Sequence, residues 1–214
     1  SEDEVWTGGL RIYTTINKSL QEFSEIAVSE AMAIYHKRQQ DAPEKVKSAL
    51  LIIETQTGRI KSRVNSEDFA YDKFDRVDAL RQPGSAFKAI VYTAAIANGS
   101  RLDCDDEGEG KCNTDDVPTI CLDMGKGQPQ KCIQNYPYKN KKMIRYLGPK
   151  SELKYSLWES RNAGTICLVL KRCGHLEIKE LLKFAKDLGI ETPLKPYPTT
   201  AIGASEVTLF ELTN

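Results

Sequence analysis

Between Phe87 and Ile96 the chain is apolar on almost every side: Phe87, Ile90, Val91, Ala94, Ala95 and Ile96 leave little room for a solvated face. That pattern predicts a helix buried on most sides, running from about Ser85 to Asn98 and stopped by Gly99. At 214 residues the chain is long enough to bury one substantial core around it. Forty per cent apolar and 28% charged residues are ordinary for a globular protein.

The entry to this helix reads Arg81-Gln82-Pro83-Gly84-Ser85-Ala86-Phe87-Lys88. If Ser85 opens the helix, the i,i+3 spacing places the Lys88 amine on the same face, one turn above the hydroxyl. An amine there, its pKa lowered by burial, can take the serine proton and leave an alkoxide-like nucleophile. The helix dipole near Ser85 favours developing negative charge. Ser151-x-x-Lys154 has the same spacing, but it follows Gly148-Pro149 and leads into the mixed segment 152–159. It reads as a helix start with Ser151 as N-cap.

Ser160-Arg161-Asn162 is the only Ser-x-Asn in the chain and lies at a junction between helical segments. Penicillin-recognising serine enzymes pair Ser-x-x-Lys with Ser-x-Asn and a Lys-Thr-Gly strand. With both motifs present in order, the chain resembles the transpeptidase domain of a class A (bifunctional) penicillin-binding protein. Gly8 to Ile16 resembles that domain's opening strand, and Leu20-Gln21 the start of its next helix. Ala49 to Glu54 with Thr57-Gly58 resembles its first hairpin, and Phe74-Asp75-Arg76-Val77 takes the place of Phe-Asn-Arg-Ala before the nucleophile helix. Asn135-Tyr136-Pro137 and Leu147-Gly148 match the lead into the second motif, and Ala201 to Ala204 with Glu206 to Thr208 the segment after it. Nearly the whole chain is covered, apart from an insertion at about 103–132. Ala89 stands where the family commonly has proline, and Val64-Asn65-Ser66 where it has a Gly-rich turn.

The resemblance implies an α+β fold of the penicillin-binding-protein/β-lactamase type, with helices packed on an antiparallel sheet beside a helix-rich subdomain. It implies Ser85 as the acylated nucleophile and Lys88 as its proton acceptor. Ser160 would relay a proton to the leaving amine, Asn162 would bind the substrate's amide, and the Ser85 backbone amide would supply half of the oxyanion hole. The substrate would be the D-Ala-D-Ala end of peptidoglycan stem peptides, with β-lactams as mimics and no metal or other cofactor. No Lys-Thr-Gly occurs in the 214 residues; Gln56-Thr57-Gly58 reads as a hairpin turn. The expectation is therefore a domain piece, residues 9–214 after a leader 1–8, incomplete at its C-terminus, whose parent protein is active. A serine β-lactamase or carboxypeptidase, and a penicillin sensor or structural domain of the same fold, are the alternatives.

Thirty acidic residues balance thirty basic ones, and the basic cluster Lys139-Asn140-Lys141-Lys142 reads as a solvated loop, which argues against nucleic acid. There is no apolar run of about 18 residues, so the expected membrane link is only an anchor elsewhere in an extracytoplasmic parent protein. Cys104, Cys112, Cys121 and Cys132 fall in the insertion, where one or two disulfides are expected in an oxidising compartment. Without Cys-x-x-Cys, and with His36 and His175 distant in sequence, zinc is disfavoured. Cys167 and Cys173 lie six apart on different faces of one expected helix, which argues against their pairing. Asp103, Asp105, Glu107 and Gly108 open like a calcium loop, but Lys111 and Thr114 stand at later ligand positions, so a surface loop is expected.

Along the chain, alternation predicts a strand at Leu10 to Ile16. Asn17 should cap a helix whose apolar face is Leu20, Phe23, Ala27, Ala31 and Ile34. A hairpin is expected from Ser48 to Val64, turning at Gln56-Thr57-Gly58. Helices are expected near 151–160, 163–172 and 176–188, and a last one from about Ser205.

Overall fold

The computed structural model describes residues 6–39, 46–104, 112–117, 119–122, 131–134, 148–170 and 173–214. Asp105, Glu107, Gly108 and Lys111 of the calcium-like run, the cluster 139–142, and Asn135-Tyr136-Pro137 lie outside the described residues. The chain divides into two compact units, residues 1–79 with 213–214, and residues 80–212.

In the first unit Asn17 caps helix α1 (Lys18–Arg38), its side chain accepting from the Leu20 amide at 3.0 Å. Strands β1 (Leu50–Ile53) and β2 (Ile60–Val64) pair antiparallel around a turn in which the Gly58 amide donates to Glu54 O at 2.8 Å. The hairpin falls where expected. The buried face of α1 differs: Ser24, Val28 and Met32 are covered, whereas Leu20, Phe23 and Ile34 are 38, 68 and 52% exposed. The reason lies at Gln21. Its Oε1 accepts from the Arg63 amide (2.9 Å) and Ser62 Oγ (3.1 Å), and its Nε2 donates to Arg63 O (3.1 Å). Unpaired backbone groups of β2 thus set the helix register, and Ser24, Val28 and Met32 follow at helical spacing. The expected strand at Leu10 to Ile16 is not formed. At the end of that segment Thr15 Oγ1 donates to Ile60 O, and just beyond it the Asn17 amide donates to Lys61 O. Without a ladder partner, alternation alone does not make a strand.

The second unit is built on helix α2 (Lys88–Ala97), entered through a 3₁₀ turn at Gly84–Phe87. Phe87, Val91, Tyr92, Ala94 and Ala95 are all buried, as the apolar run requires. They pack in one core with Leu153, Leu168, Leu181, Ala185, Ala201 and Val207. The insertion supplies strands β3 (Asn113–Asp116), β4 (Thr119–Leu122) and β5 (Lys131–Gln134). Strand β3 pairs with β6 (Gly148–Glu152), and β4 with β5, both antiparallel. Helices α3 (Leu153–Trp158), α4 (Asn162–Leu168), α5 (Ile178–Asp187) and α6 (Leu209–Thr213) complete the α+β arrangement.

Two readings need correcting here. Ser151 is no helix cap: it lies in β6, its hydroxyl donating to Thr114 O at 3.1 Å, because β3 offers that segment a pairing partner. Cys167 and Cys173 do pair, with Cα atoms 5.7 Å apart. Helix α4 ends at Leu168, and the chain then turns back through Leu170, whose carbonyl accepts from the Cys173 amide at 3.0 Å. That turn brings the two cysteines within disulfide reach. Cys104–Cys112 and Cys121–Cys132 close the insertion locally, as expected there.

Candidate active site

Lys88, the first residue of α2, is only 2% exposed. Its amine donates to the Ser160 carbonyl (2.6 Å), Ser160 Oγ (3.1 Å) and Asn162 Oδ1 (2.8 Å). Every partner is neutral, and burial pushes the Lys88 amine down to about 8. Desolvation disfavours the charged form, and no carboxylate among the described residues pairs with this amine to restore it. Lys154 is the opposite case: the hydrogen bonds it donates to the carboxylates of Asp103 first and Glu152 next hold its pKa above the usual lysine value. The two Ser-x-x-Lys motifs share a spacing and differ in environment.

Ser160 and Asn162 arrive from the turn between α3 and α4. The close crossing of these helices depends on Gly164, where a Cβ would lie 2.9 Å from Ser156 Cβ and nearer still to its hydroxyl. Ser160 holds φ at +51°, the one non-glycine residue with positive φ among those described. That conformation is strained for a serine, by on the order of 1 kcal/mol or more. It lets one residue offer both carbonyl and hydroxyl to the same amine. Asn162 opens α4, and its Oδ1 is committed to Lys88, so its remaining hydrogen-bonding capacity is mainly the donor Nδ2.

Ser85 is exposed, in the 3₁₀ turn one turn before Lys88. Residues i and i+3 eclipse in that geometry, so both still share a face. Its hydroxyl makes no hydrogen bond among the described residues, and the Lys88 donors are directed to Ser160 and Asn162. The four residues picked from sequence therefore fall into a tight trio, Lys88, Ser160 and Asn162, with Ser85 open beside it. Sequence reasoning missed the strained backbone of Ser160. It also missed the braces on α4: Tyr92 OH lies 3.3 Å from Thr165 Oγ1, and Thr114 Oγ1 donates to Gly164 O at 2.7 Å. The hydroxyl residues themselves carry no signal of such distant partners.

No family model matches the chain. Penicillin-binding protein 1A of Rickettsia bellii is 34% identical over 201 residues, covering 92% of this chain and 22% of that relative's length. The crystal structure of penicillin-binding protein 1A from Haemophilus influenzae matches with a TM-score of 0.62 at 25% identity, over 78% of this chain and 22% of that one. PonA1 of Mycobacterium tuberculosis in complex with penicillin V shares the fold at a TM-score of 0.66 and 18% identity, over 99% of this chain and 51% of that one. Identity across nearly all of the chain and agreement in fold lead to one conclusion: the chain belongs to the penicillin-binding proteins and spans part of their transpeptidase fold.

Proposed function

We propose that the chain carries the acylation centre of a peptidoglycan D,D-transpeptidase, a serine enzyme that cross-links stem peptides of the cell wall. The observation that carries this reading is the Lys88 amine, buried, lowered to about 8, and held by the Ser-x-Asn residues rather than by a carboxylate. Ser85 Oγ attacks the carbonyl carbon of the D-Ala-D-Ala peptide bond and its proton passes to Lys88 Nζ. Of the three groups around that amine, only the Ser160 hydroxyl can change from acceptor to donor. It is thus the path by which the proton reaches the leaving D-Ala nitrogen. Asn162 Nδ2 donates to the substrate's amide carbonyl, and the Ser85 amide stabilises the oxyanion. The resulting acyl-enzyme is passed to the amine of a second stem peptide. β-Lactams, which PonA1 binds in the penicillin V complex, acylate the same serine. Three disulfides fit an extracytoplasmic site of action. No helix among the described residues is long and apolar enough to cross a membrane.

The test is labelling of the full-length protein with a fluorescent penicillin, read on a gel and by intact mass, with Ser85→Ala in parallel. A stable adduct that vanishes in the variant is expected. Labelling that persists in Ser85→Ala, or no adduct with the wild type, would sink the assignment.

A further inference from the structure

The peptide joining Gly84 to Ser85 is packed against a second glycine far along the chain. Gly203 follows the 3₁₀ turn Pro198–Ile202 with φ at +75°. A Cβ there would lie 2.5 Å from Gly84 N, 2.7 Å from Gly84 C, and deep inside contact distance of Gly84 O. All three are backbone atoms, so no flexible side chain can yield. The two segments are also tied together. The Gly84 amide donates to Gly203 O at 3.3 Å, while Arg81 and Val207 exchange backbone hydrogen bonds of 2.9 and 3.0 Å. The Gly84 carbonyl and the Ser85 N–H belong to one planar peptide, so whatever tilts the first tilts the second.

We propose that Gly203 is a positioning residue for the acylation step: by lacking a side chain it lets the 203–207 segment lie against the Gly84–Ser85 peptide and keeps the Ser85 N–H aimed at the developing oxyanion. The proposal rests on Ser85 being the nucleophile. A methyl group at position 203 must swing that peptide aside. Loss of one oxyanion donor lowers turnover by about 10²–10³-fold.

The experiment compares wild type, Gly203→Ala, Gly99→Ala and Ser85→Ala in the full-length protein, using benzylpenicillin and separating the binding constant from the first-order acylation rate. Gly99 also has positive φ, +86°, but a Cβ there meets nothing within 4 Å, so it controls for backbone strain alone. Gly203→Ala is expected to acylate about 10²-fold more slowly, with the binding constant and the pH midpoint of the rate unchanged, and Gly99→Ala to keep the wild-type rate. The infrared carbonyl band of the Gly203→Ala acyl-enzyme should move to higher wavenumber as its hydrogen bond weakens. Should Gly203→Ala fail to fold, Gly84→Ala, which has room for its methyl but is strained at φ +55°, loads the same peptide directly and is expected to show a loss and band shift in the same direction. Wild-type rates in whichever of these two variants folds, or an equal loss in Gly99→Ala, would overturn the proposal while the Ser85 assignment stood. Absence of any Ser85 adduct in the wild type would remove both.

Discussion

A lysine amine surrounded by neutral acceptors is shifted by its solvation, and Lys88 shows what that does near neutral pH. With its pKa lowered to about 8, roughly a tenth of it is free amine at pH 7, far more than for an exposed lysine. If the free amine takes the Ser85 proton, acylation should rise about tenfold per pH unit up to about 8 and level off above it. A stopped-flow profile of penicillin acylation from pH 6 to 9.5 measures this, and a flat profile would exclude Lys88 as the base. The same shift bears on stability. The folded value lies below the ordinary lysine value of 10.5, so the unfolded chain binds more protons between about 8 and 10.5, and this residue's contribution to stability rises with pH across that window. Much of this was legible in the sequence, because the apolar residues from Phe87 to Ile96 already require Lys88 to enter a core. The positive φ of Ser160 was not. It depends on where α3 and α4 cross, which Ser156 and Gly164 settle together.

Elements were legible where the local signal had only one outcome. The β1–β2 turn at Thr57-Gly58 and the apolar α2 are of this kind. Helix α1 has two faces that could pack, and the hydrogen bonds of Gln21 to β2 chose the less apolar one. The same dependence on a distant partner explains the insertion, whose sequence suggested only a cysteine-pinned loop. Its strand β3 braces α4 through Thr114, 2% exposed, donating to Gly164 O. Ile120 and Leu122 of β4 pack on Ala163, Ile166 and Cys167 of the same helix. Thr114→Val keeps the volume and removes the donor, and should destabilise the protein by about 1 kcal/mol. Because α4 begins at Asn162, acylation should slow several-fold, and Thr114→Ser should restore both properties. Urea unfolding together with acylation rates checks this. Equal stability and rate in Thr114→Val would mean the insertion does not brace the helix.

At the scale of the molecule, the small sheets of the 80–212 unit leave much of its order to covalent links. Three disulfides close short loops, with separations of 8, 11 and 6 residues. Chain entropy puts each at roughly 2–3 kcal/mol. Their sum is of the same order as the whole stability of a typical domain, about 5–15 kcal/mol. The sequence reading expected one or two disulfides in the insertion and left their pairing open; the structure has two there, Cys104–Cys112 and Cys121–Cys132. That reading treated 163–172 as one helix, and so had no way to see that the chain turns after Leu168 and returns Cys173 to Cys167. Accessibility orders the bonds: Cys132 is exposed, whereas Cys167 is fully buried and packed against β4. Graded reduction with alkylation and mass mapping should therefore open Cys121–Cys132 before Cys167–Cys173. Full reduction should lower the urea midpoint steeply and abolish penicillin labelling at 37 °C, because α4, which carries Asn162, loses both its covalent tie and the hairpin packed on it. Coincident urea transitions for the oxidised and reduced protein would show that packing alone holds the unit, and that the cysteines serve some purpose other than its stability.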